Sequence, residues 1–343
     1  MNPALLTIII ILSSIALLLL ISFILGDLIL KSNFKRMDLE KDSFLIPYED
    51  VKDKYERSEF TFKSKKNTLK GYIYGLNNEK LLVYVHGMCP GHTGYLSDII
   101  SLVDRGYKVI TYDFTGTGSS EGKRIYGLPQ TKCDLIAFMN YIQTNDEYKD
   151  KKYCLYGHSM GGYATAVCIN KSINIDKVVS ISGYNKPHEF MMTSVKKKMG
   201  LFASIIVSFP IYLASLIHYG FKYNESAIKN INSVNKDILI IHGNNDEIVP
   251  LSSSIYSQKD KITNKNAKFL LMSDENHNTH NSVIASTECV KYQKERMDIY
   301  NEVLKNTNDP KQAYKSFIDG LDRFKFNSAN EELMEKIDQF YQK

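Results

Sequence analysis

The chemistry in this 343-residue sequence centres on Gly157-His158-Ser159-Met160-Gly161-Gly162. The hexapeptide follows the strand-like run KKYCLY and precedes a helical pattern, so Ser159 is expected on a strand-to-helix turn. Such a turn is tight, and the positions two before and two after the serine must be small, as Gly157 and Gly161 are. The turn pushes the Ser159 hydroxyl outward at the C-terminal end of a strand. It also leaves the Met160 amide at a helix N-terminus, where it can donate to a developing oxyanion. A second donor is expected after the strand LLVYV, in His86-Gly87-Met88-Cys89-Pro90-Gly91, at the Met88 amide. Read alone, each motif is also an ordinary glycine-rich turn. The run Asp113-Phe-Thr-Gly116-Thr-Gly118-Ser-Ser-Glu-Gly122 is read as a structural turn only.

Taken together, GHSMGG, HGMCPGHTGY and DFTGTGSSEG resemble the α/β-hydrolase superfamily over roughly residues 71–300. The likeness is closest to the branch of monoacylglycerol lipases, lysophospholipases and serine aminopeptidase-like hydrolases. DFTGTGSSEG is similar to the branch's D-x-R-G-x-G-x-S turn, with Thr115 where the arginine would stand. The resemblance implies a triad in the chain order serine, acid, histidine. Gly243-Asn-Asn-Asp246-Glu247-Ile-Val-Pro250 looks like the family's acid loop, which implies Asp246 as the carboxylate. Of eight histidines, only His277 and His280 follow the last expected strand. The family spacing, about five residues past the strand, implies His277 as the base, with His280 as the alternative. By these roles His277 takes the Ser159 proton, Asp246 orients the imidazole, and the amides of Met88 and Met160 hold the oxyanion. The resemblance requires no cofactor. No metal is expected either, because the H-x-x-H pair has no third ligand nearby and H-E-x-x-H is absent.

The elements that must position these residues are legible as alternating strands and helices. Short apolar runs at Leu81–His86, Lys108–Asp113, Tyr153–Gly157, Lys177–Ser182, Asp237–His242 and Ala267–Met272 predict strands of a mostly parallel sheet. Helical patterns at Tyr95–Arg105, Gln130–Gln143 and Met160–Lys171 lie between them, and Tyr72–Tyr74 predicts an added antiparallel strand. The predicted organisation is a membrane anchor at 4–25, a connector at 27–60, hydrolase core at 61–184 and 236–299, a helical cap at 185–235 and C-terminal helices at 300–343. That is an α/β-hydrolase fold with a helical cap and one N-terminal transmembrane helix.

Residues 1–26 carry no charge, and the apolar run from 4 to 25 would be about 33 Å long as a helix, close to the hydrocarbon thickness of a bilayer. It lacks the basic start and small-residue exit of a cleaved signal, so an uncleaved single-pass anchor is expected. Lys31, Lys35, Arg36 and Lys41 follow the run and none precedes it, which predicts a cytoplasmic catalytic domain. Five cysteines without C-x-x-C spacing give no disulfide or thiolate-zinc pattern. Elsewhere 43 Lys+Arg against 38 Asp+Glu, a net charge of +5, gives no basis for nucleic-acid binding. A second uncharged run, Leu201–Gly220, has span length. If it crossed the bilayer, Ser159 and Asp246 would be separated, so it is expected in the cap. The function expected is hydrolysis of lipid-like esters through an acyl-enzyme. The alternatives are a serine aminopeptidase-like or small-ester hydrolase, and a catalytically silent binding module on the same fold.

Overall fold

The computed structural model describes residues 2–40 and 43–343; Lys41, one of the four orienting cations, lies outside the described residues. The apolar runs pair into one sheet, formed by β1 (Arg57–Ser64), β2 (Asn67–Tyr74), β3 (Lys80–Val85), β4 (Tyr107–Tyr112), β5 (Tyr153–His158), β6 (Ile175–Ile181), β7 (Asp237–Gly243) and β8 (Ala267–Met272). Their order is β1-β2-β4-β3-β5-β6-β7-β8. The pairs β1–β2 and β2–β4 are antiparallel and the others parallel. Strands β3 and β5 are buried along nearly their whole length, as continuous apolar runs between two helical layers should be.

β1 is the strand that the sequence pattern did not reveal; it starts inside the charged stretch read as a connector. Its period is that of a half-exposed edge strand: Phe60 and Phe62 face Phe138 and Tyr141, while Glu59, Thr61 and Lys63 alternate with them on the exposed side. The flanking helices are α1 (Pro3–Asn33), α2 (Leu96–Asp104), α3 (Gln130–Thr144), α4 (Met160–Cys168), α5 (Pro187–Met199), α6 (Leu201–Tyr219), α7 (Ala227–Ile231), α8 (Thr287–Thr307), α9 (Pro310–Ile318), α10 (Arg323–Phe326) and α11 (Glu331–Gln342). One sheet face buries Leu135 and Phe138 of α3 with Ala164 and Val167 of α4. The other buries Ile99 and Leu102 of α2 with Leu333 and Ile337 of α11.

The segment between β6 and β7 forms α5, α6 and α7, and α6 stays with the body: Ile211 and Ala214 are buried although Pro210 interrupts its backbone ladder. Its other face exposes Phe202, Ile205, Ile206 and Phe209. Helix α1 is exposed along residues 3–21 and meets the body only through its last turns. There Gly26 is required, since a Cβ on it would lie 2.0 Å from the Pro210 carbonyl oxygen of α6. Asp27, one residue on, accepts from Arg124 at 2.6 Å and bonds His218 of α6 at 2.9 Å, tying helix, core loop and cap together.

Candidate active site

β5 delivers Ser159 and α4 starts one residue later. The backbone at Ser159 has φ 58° and ψ −118°, a conformation that costs on the order of 1–3 kcal/mol and is held only by its surroundings. The glycines make it possible: a Cβ on Gly161 would meet the Val85 carbonyl oxygen at 1.9 Å, and one on Gly157 would meet Gly161 O at 2.3 Å. Met160 is the first residue of α4, so its N–H has no acceptor within the helix. Gly87 lies against the serine, with its Cβ position 3.1 Å from Ser159 Cβ, which brings the neighbouring Met88 to the same rim.

The third element is the loop after β7. Asp246 Oδ1 accepts from the amides of Ile248 (3.0 Å) and Val249 (2.8 Å), which fix the carboxylate. Burial opposes its charge, but the hydrogen bond and charge of His280, together with His242 and the Val249 amide, prevail and hold Asp246 below the usual carboxylate range. His280 Nδ1 lies 2.8 Å from Asp246 Oδ2 and 3.0 Å from Oδ1, and its Nε2 lies 2.9 Å from Ser159 Oγ. A carboxylate can only accept, so Nδ1 carries the proton and Nε2 is free to accept from the serine hydroxyl.

The histidine expected as base is therefore corrected. His277 does not reach Ser159 or Asp246; its ring bonds the Ser282 carbonyl at 3.2 Å and Thr287 Oγ1 at 3.0 Å. The family spacing miscounts because the chain after β8 turns before it arrives. The His277 amide closes a turn on the Asp274 carbonyl, and the Asn278 carbonyl accepts from Asn245 in the acid loop. His280 is the first side chain past that crossing to face Asp246. The neighbouring Glu247 takes the His280 backbone amide on its Oε2 at 3.3 Å rather than the ring.

Two further side chains hold His280 in place, and only their positions in the motifs hinted at it. His158 Nε2 donates to the His280 carbonyl at 2.9 Å, which leaves its Nδ1 to accept from the Tyr95 hydroxyl at 2.8 Å. Burial pushes His158 down to about 3, so the ring stays neutral. The Asp113 turn is structural, as read. Burial opposes the Asp113 charge too, yet the adjacent His92, bonded at 2.8 Å, and other donors hold the carboxyl down to about 2. The arginine missing at Thr115 has a substitute from the connector: Arg36 donates to the carbonyls of Gly118, Ser120 and Gly122. Thr115 instead bonds Asp134. No group of three or more metal-ligating side chains occurs among the described residues.

Comparison with known proteins bears on the fold. A family model described as serine aminopeptidase, S33, matches residues 77–226. The chain is 37% identical over 62 residues to a caffeoylshikimate esterase of Arabidopsis thaliana, covering 18% of this chain and 19% of that protein. It is 29% identical over 125 residues to the AB hydrolase superfamily protein YfhM of Bacillus subtilis, covering 35% and 41% respectively. The chain thus spans less than half the length of either curated relative. The solved Pyrococcus furiosus esterase Pf2001 superposes with a TM-score of 0.55 at 17% identity, over 80% of this chain and 97% of that one, a likeness of fold. From its sheet order, its serine turn and these matches, the chain has the α/β-hydrolase fold, and over residues 77–226 it is similar to the serine aminopeptidase, S33, family.

Proposed function

We propose that the chain is a membrane-anchored serine hydrolase that cleaves carboxylic esters, with Ser159 as nucleophile, His280 as general base and Asp246 as its orienting acid. The observation that carries this reading is the unbroken chain of contacts from Ser159 Oγ through His280 to Asp246. Ser159 Oγ attacks the ester carbon as its proton passes to His280 Nε2, and Asp246 stabilises the imidazolium that forms. The amides of Met88 and Met160 receive the oxyanion; such a donor is typically worth about 10²–10³ in rate. Imidazolium then protonates the leaving alcohol, and water, deprotonated by His280, releases the acid and restores Ser159.

The S33 family description supports a second reading, hydrolysis of an amide next to a free amino terminus. That reaction needs carboxylates facing the bound ammonium. Met88, Asn281 and Ile284 beside the serine offer no carboxylate, Asp98 in the same cavity is buried and takes the Tyr84 hydroxyl, and Glu247 takes the His280 amide, which favours an ester. Helix α1 supports the anchor: it is about 28 Å long over residues 3–21, without charge or body contact. The exposed Phe202, Ile205 and Phe209 of α6 fit the same bilayer, since α6 packs on the end of α1. Lys31, Lys35 and Arg36 follow the span and favour a cytoplasmic body. A lipid-like ester is the substrate class that fits both the anchor and the surroundings of the serine.

The test is labelling by a fluorophosphonate probe together with hydrolysis of p-nitrophenyl acetate by the detergent-solubilised full chain. Wild type should show both, and Ser159→Ala neither. A wild-type protein that does neither is a silent module on this fold, and equal labelling of the variant removes Ser159 as nucleophile.

A further inference from the structure

A cavity of about 530 Å³ lies next to the loops that flank Ser159 and carry His280, within the range of roughly 300–1,000 Å³ common for ligand sites. It borders the site at two points. Met88 follows Gly87, which touches Ser159, and Asn281 follows His280. From there it runs away from the cap, between Phe44 and Ile46 of the connector, Ile284, and Phe317 and Phe326 of α9 and α10. These four segments lie outside the part of the chain that the family model matches. Residues 88–98 of the matched stretch form one side of the wall, and the connector, the segment after β8 and the tail supply the other.

The chemistry of the wall selects its ligand. Several of its polar side chains are already engaged: Gln293 donates to the Phe326 carbonyl at 2.9 Å, Asn327 to the Phe44 carbonyl at 2.8 Å, and Asp98 takes the Tyr84 hydroxyl at 2.7 Å. Neither Lys nor Arg lines it. Deep in it Phe317, Phe326 and Cys289 are buried, while Phe44, Met88 and Met297 stay exposed at its edge. A slot whose deep wall is aromatic and aliphatic gains by taking up hydrocarbon, and an unpaired charged group buried there would pay its desolvation.

We propose that this cavity binds the unbranched hydrocarbon chain of the ester, so that connector and tail, rather than the cap, set chain-length preference. The proposal rests on the reading of Ser159 as the nucleophile. An ester can carry its hydrocarbon on the acyl or on the alcohol side, and the cavity would hold either.

The test compares kcat/KM for p-nitrophenyl dodecanoate against p-nitrophenyl acetate, and for dodecyl acetate against ethyl acetate. It uses the full chain in detergent and the variants Ala285→Phe, which fills the slot, and Met297→Glu, which charges its edge. Met297 is half exposed on α8, so that variant keeps the fold if Ala285→Phe does not. The expected result is a fall in the long-to-short ratio of about tenfold or more in both variants, the scale of one or two methylenes excluded. A fall confined to the p-nitrophenyl pair assigns the acyl side, and one confined to the alkyl pair assigns the alcohol side. Unchanged ratios in both pairs, in a variant that still melts cooperatively, overturn the proposal. A wild type that hydrolyses no ester fails the reading of Ser159 instead, and the two failures are distinct.

Discussion

At the residue scale, the proposed triad rests on groups outside it. His158 is the variable position of the serine motif, yet it supports the base through the His280 carbonyl and is itself supported by Tyr95. That arrangement predicts a pH dependence of stability. Burial lowers His158 from an ordinary 6.5 to about 3, and His86 to about 4. Between these values and 6.5 the unfolded chain binds protons that the folded chain refuses, so stability falls as pH drops through that window. Each ring should cost about 2 kcal/mol at pH 5. Melting between pH 7 and 5 should show the fall in wild type and a shallower one in His158→Gln; identical slopes would refute the buried neutral ring. The serine and its two glycines were legible because a tight turn constrains residue type directly. The acid followed from resemblance. The base was misassigned between His277 and His280 because counting residues past a strand does not reveal how many a turn consumes.

At the element scale, strand order and crossover helices were readable because strands buried on both faces leave near-continuous apolar runs. β1 was not, because an edge strand exposes one face and its charges resemble a linker's. The mixed charge of the tail gives no sign of it, but α11 lies against the sheet, with Leu333 and Ile337 fully buried. Its apolar stripe is short and becomes decisive only once α2 is beside it. The serine turn gives the prediction for this scale. Gly161→Ala sets a methyl against the Val85 carbonyl, so β3 and α4 must part. Overpacking of this kind costs about 1–3 kcal/mol, and here it also displaces the oxyanion donors. Thermal unfolding should fall by several degrees and ester turnover by more than the loss of folded protein explains. A variant with wild-type melting and turnover would contradict the tight elbow.

At the scale of the whole molecule, one uncharged helix stands clear of the body and the other belongs to it. Composition could not separate them, since both pass for spans by length and hydropathy. The contacts do: Ile211 and Ala214 of α6 are buried, and Ser159 and His280 meet on one side of it. Deleting residues 2–21 should abolish carbonate-resistant association with membranes. It should leave p-nitrophenyl acetate turnover within about twofold, because those residues are exposed throughout. Retention in the carbonate pellet would point to α6 as the anchor. The most direct measurement of the whole assembly is p-nitrophenyl acetate hydrolysis by His280→Ala beside His277→Ala. The contacts predict a loss of roughly 10⁴-fold or more for His280→Ala and less than about tenfold for His277→Ala. The reverse pattern, or a His280→Ala enzyme as active as wild type, would contradict the triad.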